Sequence, residues 1–261
     1  MALRHLAPDR LETDAEFELP VEWTPASELE RLRGRYGALD GEALLRALVG
    51  IGGPLRRRTA LVSSFGAESV VLLHMAAAID DTLPVIFLDT GRHFPETLAY
   101  RDLLVERLGL KDVRSAYPDR AALKRHDRAG RLYADDPDSC CDIRKTEPLA
   151  DALDGFDAWI TGRKRFQGGL RAELDAIEPE AGTHRLKLNP LASWPEMRIE
   201  TYRVTHDLPA HPLLAKGYRS IGCATCTRPT APGEDARAGR WFGIDKVECG
   251  IHLPIPYGDN I

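Results

Sequence analysis

Short apolar runs alternate with helical patterns from Thr59 onward, and this alternation limits the fold more than any other feature of the sequence. The runs at 60–62 and 85–88 are followed by helical patterns at 68–79 and 96–108. Later runs, expected to form strands, lie at 113–117, 158–161 and 185–188. Strands that alternate with helices pair in parallel. The sequence therefore predicts a doubly wound, mostly parallel α/β sheet with binding sites at the carboxyl ends of its strands.

The chain divides into three parts. Residues 1–55 form a helical lead-in, 56–217 an α/β nucleotide-binding domain, and 218–261 an irregular tail rich in Gly, Pro, Cys and Arg. The length of 261 residues suits one sizeable domain with short appendages. The N-terminus shows no targeting pattern, and the longest apolar stretch, 70–79, is too short to span a membrane.

Charge and cysteine content limit the partners and the compartment. The chain has 35 basic and 40 acidic side chains, so a formal charge of -5 gives no basic excess for nucleic acid or anionic lipid. Five cysteines in a chain of this length do not suit a secreted disulfide framework. We expect a reducing cytoplasm; the oligomeric state is open, with a homo-oligomer among the options.

The first candidate nucleotide-binding loop follows the first predicted strand, in Ser63-Ser64-Phe65-Gly66-Ala67-Glu68. Small residues allow a tight turn there, and the N-terminus of the next helix attracts a phosphate or sulfate. Small residues also simply cap helices, and Ser64 as an N-cap is an equally good interpretation. The segment lacks the Lys-Ser/Thr ending of a Walker-type loop.

The second candidate loop, Asp89-Thr90-Gly91, follows the second predicted strand on the same edge of the sheet. Pro95 is predicted at the first position of the next helix, with Glu96 in its first turn. Asp89 or Thr90 could hydrogen-bond a nucleotide, although ordinary turn chemistry explains both residues as well.

Two groups of cations are candidates for binding an anion. Arg163-Lys164-Arg165 comes directly after a predicted strand, where Arg163 and Arg165 could make bidentate contacts. Arg237 and Arg240 lie in the tail and could equally be surface arginines paired with acids. The strand-end position favours an anion clamp at the first group.

Four of the five cysteines form two close pairs, Cys140-Cys141 and Cys223 with Cys226. Two such pairs suit a tetrahedral metal or an iron–sulfur cluster. Adjacent cysteines are awkward ligands for a single zinc ion, whereas a cluster offers each sulfur a separate iron. Spacing favours the cluster modestly over zinc, and buried free thiols are the alternative for any single cysteine.

The fifth cysteine, Cys249, lies between Lys246 and His252, each three positions away. Such neighbours could lower the pKa of a thiol and make it a nucleophile. An inert exposed cysteine near a C-terminus is the competing interpretation.

Taken together, these segments resemble the sulfonucleotide reductases, the assimilatory adenylyl-sulfate and phosphoadenylyl-sulfate reductase family. The resemblance extends from Ser63 to His252. Its most specific parts are Ser64-Phe65-Gly66, Asp89-Thr90-Gly91, Phe94-Pro95-Glu96-Thr97, Cys140-Cys141, Arg144-Lys145, Asn189-Pro190-Leu191, the 217–241 segment and Glu248-Cys249-Gly250-Ile251-His252.

The resemblance implies an adenine nucleotide α-hydrolase-like fold, related to the PP-loop ATPases. It also implies a 4Fe-4S cluster on Cys140, Cys141, Cys223 and Cys226, a nucleophile at Cys249, and thioredoxin or a glutaredoxin-like dithiol as reductant. The cysteine quartet implies adenosine 5′-phosphosulfate as substrate. Lys145 and the arginines would neutralise the substrate's charge, and His252 would position the sulfate or lower the thiol pKa.

Other functions stay open. The Ser-Ser-Phe-Gly loop also occurs in users of the 3′-phosphorylated substrate, so dual use is an alternative. The segment 166–170 departs from the family pattern, which puts contacts there in doubt. A PP-loop ATPase that thiolates tRNA would need a lysine where Ala67 stands. A zinc-stabilised nucleotide-binding module would leave Cys249 unexplained.

Overall fold

The computed structural model describes residues 25–244 and 246–253. A six-stranded sheet lies at its centre, in the order β3-β2-β1-β4-β6-β5. Neighbouring strands are parallel except β5, which pairs antiparallel with β6. The strands are β1 Thr59–Val62, β2 Val85–Leu88, β3 Val113–Ala116, β4 Ala158–Ile160, β5 Ile177–Pro179 and β6 Leu186–Leu188. This architecture confirms the predicted doubly wound sheet.

Helices cover both faces of the sheet. They are α1 Pro25–Tyr36, α2 Gly41–Val49, α3 Ser69–Ile79, α4 Pro95–Leu108, α5 Arg120–His126, α6 Leu132–Asp135, α7 Pro137–Cys141, α8 Glu147–Ala152 and α9 Glu196–Thr205. A π-helical turn, Asp142–Thr146, joins α7 to α8. Within the part of the chain described here, no helix is long and apolar enough to cross a bilayer.

Buried side chains of the strands alternate between the two faces of the sheet and so form two hydrophobic clusters. Leu61 and Phe87 belong to the larger cluster, which α2, α3 and α4 cover. Ala60 and Trp159 face the other way, against Leu149 of α8. Side chains that alternate along a strand point to opposite faces, so short strands with nearly every residue buried are what a doubly covered sheet requires.

The lead-in helices pack into the same core as the sheet. Leu32 of α1 and Leu44 and Leu48 of α2 are fully buried in the larger cluster. The part of the 1–55 prediction that concerns residues 1–24 lies outside the described residues. Over residues 217–244 and 246–253 the chain runs mostly without regular structure and crosses the carboxyl ends of the central strands, with an isolated bridge between Thr227 and Arg240.

Candidate functional site

A cavity of about 240 Å³ lies at the carboxyl ends of β1 and β4. These two strands are adjacent in space, while the chain between them first builds the other half of the sheet through β2 and β3. Such a reversal of strand order opens a crevice in which ligands bind. Loops after β1 and β4 form one side of this cavity, and the tail forms the other.

The loop after β1 is held in a strained turn. Phe65 has a φ of 47°, which is rare for an aromatic residue, and its buried ring packs edge-on against Phe87 at 5.5 Å. Ser63 Oγ accepts a hydrogen bond from the Phe65 N–H at 3.1 Å. Ser63, Ser64, Gly66, Ala67 and Glu68 line the cavity, whereas Phe65 anchors the loop from behind.

The capping role considered for Ser64 is wrong. Helix α3 begins at Ser69, and its N-cap position is Glu68, four residues beyond Ser64. Ser69 Oγ donates to the Gly66 carbonyl at 2.6 Å, which tightens the turn into the helix. The exposed Ser64 hydroxyl is therefore part of the cavity wall rather than of the helix cap.

Asp89, Thr90 and Gly91 lie behind the cavity wall rather than in it, and Leu88 and His93 line the cavity at this edge. Asp89 Oδ1 accepts the Gly91 N–H at 3.0 Å, an ordinary turn contact. The buried Thr90 places its Oγ1 3.4 Å from Cys223 Sγ. The second loop thus supports a cysteine in the tail. Pro95 begins α4, as predicted.

Of the three cations after β4, two line the cavity and one lies at the surface. Arg163 and Lys164 are buried and line the cavity, with Arg163 Nη2 2.5 Å from Glu178 Oε2 and Lys164 Nζ 2.6 Å from Glu68 Oε2. Arg165 is exposed and donates to the Leu174 carbonyl at 2.7 Å. The structure therefore does not bring Arg165 to the anion clamp predicted for it, because the chain turns into a 3₁₀ helix at that residue.

The tail brings its cations and its thiol to the opposite side of the cavity. Arg237, Arg240 and Cys249 line it, and Cys249 is 8% exposed. Burial lowers the pKa of Arg237 to about 10, so the guanidinium stays charged at neutral pH. A buried Arg240 Nε has no hydrogen-bond partner among the described residues. A bound anion would satisfy such a donor.

Two neighbours of the Cys249 thiol, Cys141 and Lys145, favour its thiolate form in this geometry. A hydrogen bond from Cys141 lowers the pKa of the Cys249 thiol most; burial opposes this, and the charge of Lys145 lowers it further. Burial lowers the pKa of Lys145, but the nearby Cys249, Cys223 and Cys141 more than offset burial and raise it. A thiolate beside a charged ammonium is the arrangement that thiol chemistry requires.

His252 lies in the same wall as a neutral ring. It stacks on Trp159 with ring centroids 5.8 Å apart and planes 7° from parallel. Burial, then the charges of Arg163 and Arg171, hold the pKa of His252 well below its ordinary value. A neutral imidazole adds no positive charge beside the thiol, so of the two predicted roles the geometry favours a hydrogen bond to a bound ligand.

A second, small cavity is lined by Cys140, Cys141, Cys223 and Cys226. The first two end α7, directly before the π-helical turn, whose wide backbone is frequent at functional sites. Arg92, Arg144 and Lys145 line the same cavity. Lys145, Cys223 and Trp241 belong to the walls of both cavities. The four cysteines predicted as ligands therefore converge, and their cavity adjoins the one that contains Cys249.

The sequence analysis assigned no role to several residues of the site, although Arg144 and Glu248 lie in segments that carry the resemblance. Buried Arg144 donates to the Thr90 carbonyl at 2.7 Å and to Asp127 Oδ2 at 2.6 Å, linking the cysteine cavity to β2. Arg171 and Glu248 form a buried ion pair beside Cys249. The sequence gives one indication of this pair, which is that Glu248 directly precedes Cys249. Arg171 lies 77 positions away from Glu248, so the sequence does not link the two residues.

This sheet order, with strand-end loops and a buried thiol facing one cavity, is the adenine nucleotide α-hydrolase-like architecture. Residues 58–229 match the model of the phosphoadenosine phosphosulfate reductase domain. The chain belongs to that family. Arg237, Arg240 and Cys249 lie beyond the matched residues, so their placement in the site comes from the structure.

Curated relatives and a solved structure agree with this family assignment. The adenosine 5′-phosphosulfate reductase of Mesorhizobium japonicum is 56% identical over 194 residues, 74% of this chain and 76% of that relative. That of a Chelativorans species is 47% identical over 234 residues, 87% of this chain and 93% of the relative. The crystal structure of phosphoadenylyl-sulfate reductase from Candida auris, a phosphate complex, has 25% identity and a TM-score of 0.64, covering 77% of this chain and 97% of that one.

Proposed function

We propose that this chain reduces adenosine 5′-phosphosulfate to sulfite and AMP, as a cytoplasmic step of assimilatory sulfate reduction toward cysteine. The observation that carries the proposal is the Cys249 thiol, which lines the same cavity as the loop after β1 and the cations Lys145, Arg237 and Arg240. A sulfonucleotide is an anion with an electrophilic sulfur at its end. Such a substrate needs cations around it and one nucleophile at its far end.

In the first step the Cys249 thiolate attacks the sulfur of the phosphosulfate. A new S–S bond forms, the bond between sulfur and the bridging oxygen breaks, and AMP leaves with that oxygen and the bonding electron pair. The enzyme then carries an S-sulfocysteine. Charge builds up on the departing phosphate, so the positive charges of Lys145, Arg237 and Arg240 lower the barrier where they face it.

In the second step a dithiol reductant, thioredoxin or a glutaredoxin-like protein, attacks the sulfur of Cys249. Sulfite leaves and a mixed disulfide forms, which the second thiol of the reductant resolves. The two electrons come from the dithiol, and Cys249 returns as a thiol. Because Cys249 is buried in the described conformation, the tail must withdraw from the cavity before the reductant can reach it.

We assign a 4Fe-4S cluster to Cys140, Cys141, Cys223 and Cys226. All four thiols line one small cavity, and two of them, Cys140 and Cys141, are adjacent in the chain. Adjacent ligands suit a cubane better than a single zinc ion, because each thiolate binds a separate iron. The adjoining Arg92, Arg144 and Lys145 would balance the negative charge of four thiolates. When bound, the cluster would join the tail to the domain and contribute to the electrostatic field at the cavity.

The test is a comparison of sulfite formation from adenosine 5′-phosphosulfate and from its 3′-phosphorylated form, with thioredoxin present. We expect a higher kcat/KM for the first. A preference for the 3′-phosphorylated substrate would make the chain a phosphoadenylyl-sulfate reductase, and comparable values would make it a dual-substrate enzyme. Absence of sulfite with either substrate would contradict the proposed reaction.

A further inference from the structure

A buried carboxylate, that of Glu248, lies beside the nucleophile and is only 5% exposed. The Arg171 guanidinium donates two hydrogen bonds to it, from Nε to Oε2 at 2.5 Å and from Nη2 to Oε1 at 2.8 Å. Burial raises the pKa of Glu248, but the hydrogen bonds and charge of Arg171 outweigh burial and lower it. The carboxylate is therefore ionised at neutral pH, and the pair is bidentate.

The same carboxylate fixes the backbone of the nucleophile. Oε1 accepts the Cys249 N–H at 2.9 Å and also lies 3.4 Å from Arg237 Nη2. Arg171 belongs to the main domain, in the 3₁₀ turn Gly169–Arg171, while Glu248 and Cys249 belong to the tail. The position of Cys249 over the cavity thus depends on a contact between the two parts of the chain.

The other end of this contact reaches the loop after β1. Arg171 Nη1 donates to Gln167 Oε1, and Gln167 Nε2 donates to Glu68 Oε2 at 3.2 Å. Lys164 Nζ donates to the same oxygen at 2.6 Å. A continuous series of hydrogen bonds therefore runs from a residue that lines the cavity floor to the backbone of Cys249.

The other polar contacts of this part of the tail are longer or involve an exposed partner. Arg237 Nη2 donates to the Val247 carbonyl at 3.1 Å, Lys246 pairs with the exposed Asp138, and Lys187 Nζ lies 3.5 Å from the Ile251 carbonyl. Exposed pairs contribute little, whereas removing one partner of a buried pair leaves an uncompensated charge and is costly. The Arg171–Glu248 pair is therefore the strongest polar contact that holds the 246–253 segment in place.

We propose that the Arg171–Glu248 pair is the latch that holds Cys249 in its attacking position, which makes Glu248 a positioning residue for sulfonate transfer. The inference rests on the proposed function for its chemistry, but the latch itself is a property of the tail. Closing the latch aligns the thiol with the substrate. Opening it separates the tail from the domain, as reduction of the sulfonated cysteine requires.

The experiment is backbone hydrogen exchange, measured by mass spectrometry on the full-length chain, which does not depend on thiol chemistry or on turnover. In Glu248→Gln we expect the 246–253 segment to exchange at least about tenfold faster, with β1 and β2 unchanged. Arg171→Met breaks the pair from the side of the domain and should have the same effect. The double variant should open no further than either single variant, because all three lack the same contact.

A kinetic measurement accompanies the exchange. In a single turnover, Glu248→Gln should slow sulfonate transfer to Cys249 by about tenfold or more, without slowing the release of sulfite by the dithiol. Glu234→Gln is the matched control: it removes an ion pair with Arg228 elsewhere in the tail and should leave both measurements at wild-type values.

Wild-type exchange of the 246–253 segment in both latch variants would overturn the inference. So would faster exchange that extends into β1 and β2, because a latch acts on the tail alone. If wild-type protein failed to form the S-sulfocysteine, the proposed function would fall while the exchange result would still decide the latch.

Discussion

The two sides of the substrate cavity are built in different ways. The loops after β1 and β4 start within the sheet's backbone hydrogen bonds, with Ser63 N–H donating to Ile86 at 3.0 Å and Thr161 N–H to Leu188 at 2.8 Å. In the described residues of the tail opposite, backbone pairing is limited to isolated contacts, such as the Ala224 N–H that donates to the Arg92 carbonyl at 2.7 Å, and side-chain pairs such as Arg171–Glu248 hold the segment around Cys249. The side that binds is fixed mainly by the backbone, and the segment that carries the thiol is fixed mainly by individual side chains.

This difference separates binding from reaction in the molecule. Backbone ladders tolerate most substitutions because any residue except proline supplies the same groups. A contact between two side chains is lost with either partner. Single substitutions in the tail should therefore misplace the reacting groups while the sheet stays folded, and substitutions under the sheet should change stability rather than chemistry.

The largest expected effect comes from removing a proposed cluster ligand. Cys223 lines both cavities, so in Cys223→Ala we expect iron and acid-labile sulfide to be lost and sulfite formation to fall by more than about 10²-fold. The sheet should persist, as circular dichroism would show. Thr201→Ala, at an exposed threonine of α9 outside both cavities, is the control. Zinc without sulfide in the wild-type protein would contradict the cluster assignment.

A smaller effect is expected at Gly222. An ideal Cβ there would lie 2.5 Å from Cζ of Arg240 and 3.0 Å from its Nε. Because the obstructed group is the free end of a flexible side chain, Gly222→Ala should move the guanidinium and leave the fold intact. We expect kcat to fall by about 10- to 100-fold at unchanged Tm and iron content. Gly34→Ala, where a Cβ meets nothing within 4 Å, is the control. A wild-type kcat in Gly222→Ala would contradict the requirement for the Arg240 guanidinium at its described position.

A substitution of His211, a buried residue of the main domain, should have the smallest effect on catalysis and a clear effect on stability. Burial lowers the pKa of this histidine to about 4, while Leu213 N–H donates to its Nδ1 at 3.1 Å. The unfolded chain binds a proton at a higher pH than the folded one, so stability falls as the pH drops from about 6.5 to about 4.

The pH dependence of unfolding by urea measures this contribution. We expect His211 to lower the free energy of unfolding by about 3 kcal/mol at the acid end of this range. This loss should be absent in His211→Asn, whose amide oxygen can still accept the Leu213 N–H. An unchanged pH dependence in the variant would assign the acid sensitivity to other groups. Sulfite formation at neutral pH should be close to wild type.

The sheet could be predicted because its signal is local. Each apolar run and each helical pattern lies within a few consecutive residues, and parallel pairing follows from their alternation. The exception is β5, three residues that end at Pro179 on the edge of the sheet. An edge strand that short has no alternation to detect, and a proline is tolerated there because its missing N–H faces away from the ladder.

The tail side was predictable only in part. Paired cysteines are visible as spacing, whereas Arg171 and Glu248 are charged residues far apart that meet only through the fold. The run at 163–165 shows why residue type was not enough. Its three cations look alike in sequence, yet the turn at Arg165 sends that side chain to the surface and buries the other two.

The most direct measurement is the mass of the full-length chain after mixing with adenosine 5′-phosphosulfate in the absence of reductant. The proposed reaction predicts one added sulfonate, located on the peptide that contains Cys249, and its release as sulfite when thioredoxin is added. Cys249→Ser should gain no such mass. Sulfite formation by the wild-type protein without this adduct, or an adduct of the same mass on Cys249→Ser, would contradict Cys249 as the nucleophile.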